Sequence, residues 1–229
     1  MIIFLDYDGT LVPIREFPYL AVIEPERKKL LEDLARKHRT VIITGRDKGS
    51  FSQVFGDVPK EIYLVTSHGA RIYRGERLMA DYLEAEMPNL TPLRERLRGF
   101  PGTFLEEKEG CFALHYRSFK GDEEEVIKVF DEFISENPPL KVIRGKKVLE
   151  AVYGKFDKGT GVERALKLLG WDMKEKVIYI GDDTTDIDAF RKIKDLGGTA
   201  LYVGFPPPPE ADGFLRDVEE VYSFLTSLK

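Results

Sequence analysis

The stretch IIFLDYDGTLV, Ile2 to Val12, runs four apolar residues into two aspartates one position apart and then into a glycine. A short, uninterrupted apolar run of this kind marks a strand buried on both faces, as in a parallel sheet with helices above and below it. Asp6 and Asp8 then stand at the carboxyl end of that strand, the edge where open parallel sheets bind their ligands. One stretch thus predicts both the fold class and the place of the chemistry.

The pattern recurs outward along the chain. RTVIITG from Arg39, EIYLVTSHG from Glu61, KVIYIG from Lys176 and TALYVG from Thr199 read as further buried strands. Helices are predicted between them over Glu24–Lys37, with Leu30, Leu31 and Leu34 on one stripe, in a short stretch before Glu61, over Lys158–Leu169, from Thr184 onward and at the chain's end. The expected architecture is α/β, a Rossmann-like parallel-sheet core. From about Leu78 the pattern changes. A helix over Leu90–Arg98, two strands in TFLEEKEGCFALHYR around Gly110, a helix over DEEEVIKVFDEFISEN and a second strand pair in LKVIRGKKVLEAVY describe an inserted α+β domain. Val126, Ile127, Phe130, Phe133 and Ile134 form the apolar stripe of its long helix, which Pro138 and Pro139 end. The expected boundaries are 1–80 and 155–229 for the core and 81–154 for the insertion. The proline run after Phe205 reads as an extended brace.

Composition narrows the functions open to such a chain. Its 229 residues carry a formal net charge of −5, which argues against a nucleic-acid-coating surface. Cys111 is the single cysteine, and His38, His68 and His115 are too scattered for a zinc site, so neither disulfide nor zinc is expected. No apolar run is long enough for a membrane helix, and MIIFL meets Asp6 too early for a signal sequence, so a cytoplasmic protein is expected. The expected partner is a small molecule, with neither nucleic acid nor membrane, and the expected state a monomer.

Several predicted strands deliver polar groups to the same edge. They are Asp6 and Asp8, then Thr44, Gly45 and Arg46, then Ser67 and His68, and finally Asp182, Asp183 and Asp186. Carboxylates converging from separate strands would repel, and a hard cation with oxygen ligands relieves them. Mg²⁺ held by Asp6, Asp182 and the Asp8 carbonyl is the expected arrangement, with Asp186 supporting it from outside the ligand set. Asp6 is the candidate nucleophile toward phosphorus, and Asp8 the general acid and base two residues on. Gly9 permits the sharp turn between them and the Thr10 hydroxyl is expected to steady it, while Thr44 offers a hydroxyl to a phosphoryl group. Lys158 opposes the dipole of the helix it opens, which points to a functional ammonium beside the carboxylates. Gly45, Arg46 and His68 are candidates for substrate contact. The calcium-loop reading of DYDG fails on Thr10 and Leu11, and the P-loop reading of GKFDKGT fails on Thr160.

DYDGT, TGR, DKG and GDDTTD, in this order on strand and helix ends, resemble the four motifs of the haloacid dehalogenase superfamily of phosphotransferases. The insertion between the second and third motifs then implies the α/β type of cap domain. LDYDGTLV, SHG, LEEKEG, GKKVLE and GDDTTD together are similar to the trehalose-6-phosphate phosphatase family. By alternation Glu106 and Lys108 share a face with Phe104, and Lys146 and Glu150 share a face with Val148. The resemblance implies that these four read the sugar. His115 and Arg117, alternating away from Phe112, Leu114 and Tyr116, read as a solvated face. Phosphatases for mannosyl-3-phosphoglycerate or sucrose phosphate remain alternatives, as does a phospho-aspartate signalling module.

Overall fold

A computed structural model describes residues 1–83, 87–108, 110–137, 140–153 and 156–229. The chain forms two compact units, Met1–Tyr82 with Asp157–Lys229, and Leu83–Phe156.

In the first unit β1 (Ile2–Asp6) is followed by α1 (Pro25–Ala35), β2 (Arg39–Ile43), α2 (Lys48–Phe55), β3 (Ile62–Thr66), β4 (Arg71–Arg74) and β5 (Arg77–Asp81). The second unit contributes α3 (Thr91–Leu97), β6 (Phe104–Lys108), β7 (Cys111–His115), α4 (Glu123–Glu136), β8 (Leu140–Gly145) and β9 (Val148–Tyr153). The chain then completes the first unit with α5 (Lys158–Leu168), β10 (Val177–Gly181), α6 (Ile187–Asp195), β11 (Thr199–Val203), β12 (Gly213–Leu215) and α7 (Val218–Ser227).

Among the described residues the first unit's sheet has the order β12-β11-β10-β1-β2-β3-β4-β5. The strands from β12 to β3 run parallel, with β1 between β10 and β2. Side chains alternate along β1. Ile3 and Leu5 join a core with Leu31 and Leu34 of α1, Phe51 and Phe55 of α2, and Val221 and Leu225 of α7. Ile2 and Phe4 join a second core on the other face, with Val162 and Leu166 of α5 and Phe190 and Ile193 of α6. This double burial accounts for the unbroken apolar run. It also fixes where Asp6 goes, because an even-numbered residue on this strand faces α5 and α6.

The antiparallel hairpin β4–β5 is an addition that no pattern in the sequence announces. Gly75, at φ +55°, makes its turn, and Arg71 pairs with Asp81 across it at 3.0 Å. Leu78 and Met79 on β5 are exposed, so no apolar run marks the strand. The expected helix at Thr184 begins as a single 3-10 turn, Thr184–Asp186, before α6.

The second unit holds an antiparallel sheet, β6-β7-β9-β8, covered on one face by α3 and α4. Phe112, Leu114, Leu149 and Ala151 pack there against Leu93, Val126, Phe130 and Phe133. Across the strands the register aligns Glu106 with Ala113 and Ala113 with Glu150, so the two glutamates flank Ala113 on the opposite face. Lys146 does not share that row. It lies in the two-residue turn between β8 and β9, where Lys147 has φ +67°, and strand alternation does not carry through a turn. His115 departs from the solvated reading as well, since its half-buried Nε2 bonds Glu106 Oε2 at 2.9 Å. Pro138, Pro139, Gly154 and Lys155 lie outside the described residues, as does the side chain of Lys108.

Candidate active site

Four loops at the carboxyl edge of the first unit's sheet, together with the first residue of α5, build the site. The first leaves β1 at Asp6. Gly9 turns it at φ +91°, and its N–H donates to the Val12 carbonyl at 2.8 Å, while the Leu11 and Val12 N–H groups return to the Tyr7 carbonyl. The Thr10 hydroxyl takes no part in holding this turn; it is buried without a hydrogen-bond partner. A methyl group on Gly9 would sit 2.2 Å from Asp182 Oδ2, so the absent side chain is what admits that carboxylate.

The second and third loops are pinned to each other. Thr44 N–H donates to the Val65 carbonyl at 2.9 Å, Ser67 N–H to the Arg46 carbonyl at 2.9 Å, and His68 N–H to the Thr44 carbonyl at 3.2 Å. Ser67 and His68 adopt positive φ of 49° and 56° to reach these acceptors, a conformation that costs each about 1 kcal/mol or more. Thr44 is buried, and its hydroxyl accepts from Arg46 N–H at 3.1 Å, which leaves its own hydrogen to donate. Arg46 turns both prongs of its guanidinium on Asp8, Nε to Oδ2 and NH2 to Oδ1, each at 2.7 Å.

Lys158 opens α5 beneath Asp6. Asp157 caps the helix, accepting from Thr160 N–H at 2.7 Å, and this reciprocal cap offsets the unfavourable charge that follows it. Lys158 is only 3% exposed, and its Nζ donates to Asp6 Oδ1 at 2.6 Å and to Asp186 Oδ1 at 2.7 Å. Asp186 is fully engaged. Its Oδ1 also accepts from the Tyr179 hydroxyl at 2.6 Å, and its Oδ2 accepts from the N–H groups of Asp182 and Asp183. Asp183 caps the 3-10 turn, accepting from Thr184 N–H at 2.7 Å.

Oxygens of Asp6, Asp182 and Asp186 lie within 4.8 Å of one another, all buried. Burial pushes the Asp6 carboxyl well above its ordinary range; Lys158 pulls it down, while Asp186 and Asp182 push it further up. Burial alone would lower the Lys158 ammonium, but Asp186 and Asp6 outweigh it and hold it charged above the usual lysine range. The Lys158 ammonium thus bonds two of these three carboxylates. Asp6 Oδ2, buried and without a hydrogen-bond partner, is the atom left over. Three buried carboxylates with oxygens this close form an all-oxygen donor set that fits a hard divalent cation such as Mg²⁺. Asp6 and Asp182 suit that role, whereas Asp186 is committed to its four hydrogen-bond donors.

The structure therefore brings Asp6, Lys158, Asp182 and Asp186 together, and places Asp8, Thr44, Gly45, Arg46 and His68 on the adjoining loops. Glu106, Lys108, Lys146 and Glu150 belong to the second unit. Tyr179 is the participant that sequence reasoning missed. Its even spacing from Val177 in a buried strand marks it as core, and only its hydroxyl, delivered to Asp186, shows otherwise.

Residues 4–205 match the family described as trehalose-phosphatase. Trehalose-phosphate phosphatase B of Arabidopsis thaliana is 34% identical over 253 residues, covering 100% of this chain and 66% of that protein, so the chain spans about two thirds of the relative's length. The C-terminal domain of trehalose-6-phosphate phosphatase from C. albicans aligns with a TM-score of 0.84 at 21% identity, over 99% of this chain and 91% of that one. A trehalose-6-phosphate phosphatase related protein aligns at 0.81 and 24%, over 100% and 96%. At such identities the two structural likenesses speak for the shared fold.

Proposed function

The chain belongs to the trehalose-phosphatase family, and from that premise we propose that it hydrolyses trehalose 6-phosphate through an aspartyl-phosphate at Asp6. The observation that carries this reading is the divided carboxylate of Asp6, with Oδ1 held by Lys158 and Oδ2 buried and unpartnered. An oxygen so placed is oriented and stripped of water, which favours attack on phosphorus. Lys158 offsets the charge of nucleophile and phosphoryl group together, and the Thr44 hydroxyl donates to a phosphoryl oxygen. Asp8 protonates the departing sugar oxygen and then takes a proton from the attacking water. Mg²⁺, held by Asp6, Asp182 and the Asp8 carbonyl, would offset charge on the phosphoryl oxygens. Gly45 and His68 contribute to phosphate-side binding from their pinned loops.

Glu106, Lys108, Lys146 and Glu150 of the second unit serve as the sugar-reading groups, so that this unit is a specificity cap and the first unit the catalytic core. Glu106 and Glu150 support this best, since their register sets two carboxylates in one row and sugar hydroxyls are natural donors to them. The enzyme acts as a cytoplasmic monomer in this reading; among the described residues no helix is long and apolar enough to cross a membrane.

The test is phosphate release from trehalose 6-phosphate, sucrose phosphate and mannosyl-3-phosphoglycerate. Turnover should be fastest on the first, and Asp6→Asn or EDTA should abolish it. Preference for another ester would overturn the sugar, and stable stoichiometric phosphorylation without turnover would mark a signalling module.

A further inference from the structure

Arg46 is 4% exposed, an unusual depth for a guanidinium intended to meet an incoming ligand. Its Nε and NH2 grip both oxygens of Asp8 at 2.7 Å, NH2 also donates to the Pro18 carbonyl at 2.8 Å, and the group lies 5.6 Å over the Tyr7 ring. Its backbone is fixed too, through the Thr44 hydroxyl and the Ser67 N–H. The Asp8 carboxylate, by contrast, is 39% exposed. Arg46 is therefore set on a rigid frame with both prongs on Asp8, whose side chain stays partly open to solvent.

Resting on the phosphatase reading above, we propose that Arg46 is a positioning residue that acts through Asp8, receiving the carboxylate left when Asp8 gives its proton to the sugar oxygen. In that step the bond from Asp6 to phosphorus forms and the bond from phosphorus to the sugar oxygen breaks. The sugar leaves as its alcohol with the proton of Asp8, and the negative charge that remains on Asp8 meets the waiting guanidinium. Charge grows on Asp8 only as the proton departs, so a preoriented bidentate partner stabilises the transition state more than the bound substrate. In the hydrolytic step the same pair of hydrogen bonds orients the Asp8 carboxylate to accept the proton of water.

The leaving group separates this role from substrate contact. Trehalose 6-phosphate expels an alcohol oxygen that needs a proton, whereas p-nitrophenyl phosphate expels a phenolate that does not. In a single turnover, Arg46→Met should lose about 100-fold in the rate of leaving-group release from the sugar ester and less than about threefold in that from the aryl ester, with KM for either changed less than about twofold, whereas the later hydrolytic step should slow equally after both. Arg46→Lys, which keeps the charge and loses the paired geometry, should recover part of the sugar-ester rate. Asp8→Asn should show the same split in leaving-group release while its hydrolytic step slows after both esters, and adding Arg46→Met to it should cost little more, because the two residues act as a unit. Equal losses of the leaving-group release rate on both esters in folded protein would overturn the proposal in favour of phosphate contact, and a rise in KM confined to the sugar ester would overturn it in favour of sugar contact. If Arg46→Met fails to fold, the same comparison of the two esters in Arg46→Lys decides between these roles. A wild-type protein that releases phosphate from neither ester, or an Asp6→Asn variant that still does, would instead bring down the phosphatase reading beneath it.

Discussion

The two units surround their acidic side chains differently. At the end of β1, Asp6 and Asp186 are buried and share one ammonium, and Asp186 takes four hydrogen bonds. On the face of the second unit's sheet away from α3 and α4, Glu106 pairs with a half-buried histidine and keeps only 14% of its side chain exposed, and Glu150 is buried. The parallel sheet is closed on both faces, so any charge at its edge must be matched inside the protein; the antiparallel sheet has helices on one face only, and its other face can display polar groups. The difference teaches that the first cluster is tied to the fold as well as the chemistry, while the second can change with little effect on stability.

The strongest way to break that contrast is Lys158→Met. It would leave two buried carboxylates facing each other, and removing one partner of a buried ion pair costs about 3–5 kcal/mol. Denaturant melts should show that loss along with abolished phosphate release; a variant of normal stability would refute the tie between charge and fold.

Cation removal tests the same cluster more gently. Between its ordinary value of 3.8 and its raised value in the fold, Asp6 holds a proton that the unfolded chain has given up. Cation-free protein should therefore lose stability as pH rises through that window, and a comparison with Asp6→Asn isolates the effect. Mg²⁺ at ten times its Kd should restore about 1.4 kcal/mol, or roughly 3–6 °C in melting temperature, near neutral pH. A Tm indifferent to Mg²⁺ would speak against the site.

The smallest effect belongs to the other region. Glu106→Gln should lower kcat/KM on the sugar ester about tenfold, leave p-nitrophenyl phosphate untouched, and shift stability by less than about 1 kcal/mol. Lost stability comparable with Lys158→Met would erase the distinction between the units.

These contrasts are unevenly legible in the sequence. The apolar runs of β1, β2, β3 and β10 announce themselves because burial on both faces leaves few polar positions to confuse the period, and β11 reads the same way although Thr199 is exposed and Leu201 and Tyr202 are only half-buried. β5 is silent, since an exposed edge makes no such demand, and β4, although Ile72 and Tyr73 are buried, is too short to show a period. Alternation carries Lys146 into the strand of Val148 and Glu150, which in fact begins only at Val148. Arg46 can be placed at the end of β2 but not aimed, for its partner Asp8 is 38 residues away.

What the sequence determined alone is the set of strand ends at which chemistry-bearing residues gather, because hydrophobic period and strand order follow from local pattern. What only the tertiary structure decided is which of those groups meet. Tyr179 and Lys158 converge on Asp186, Gly9 makes room for Asp182, and Arg46 closes on Asp8. Pairings of this kind depend on side-chain direction across neighbouring strands and helices, a property that no local period encodes.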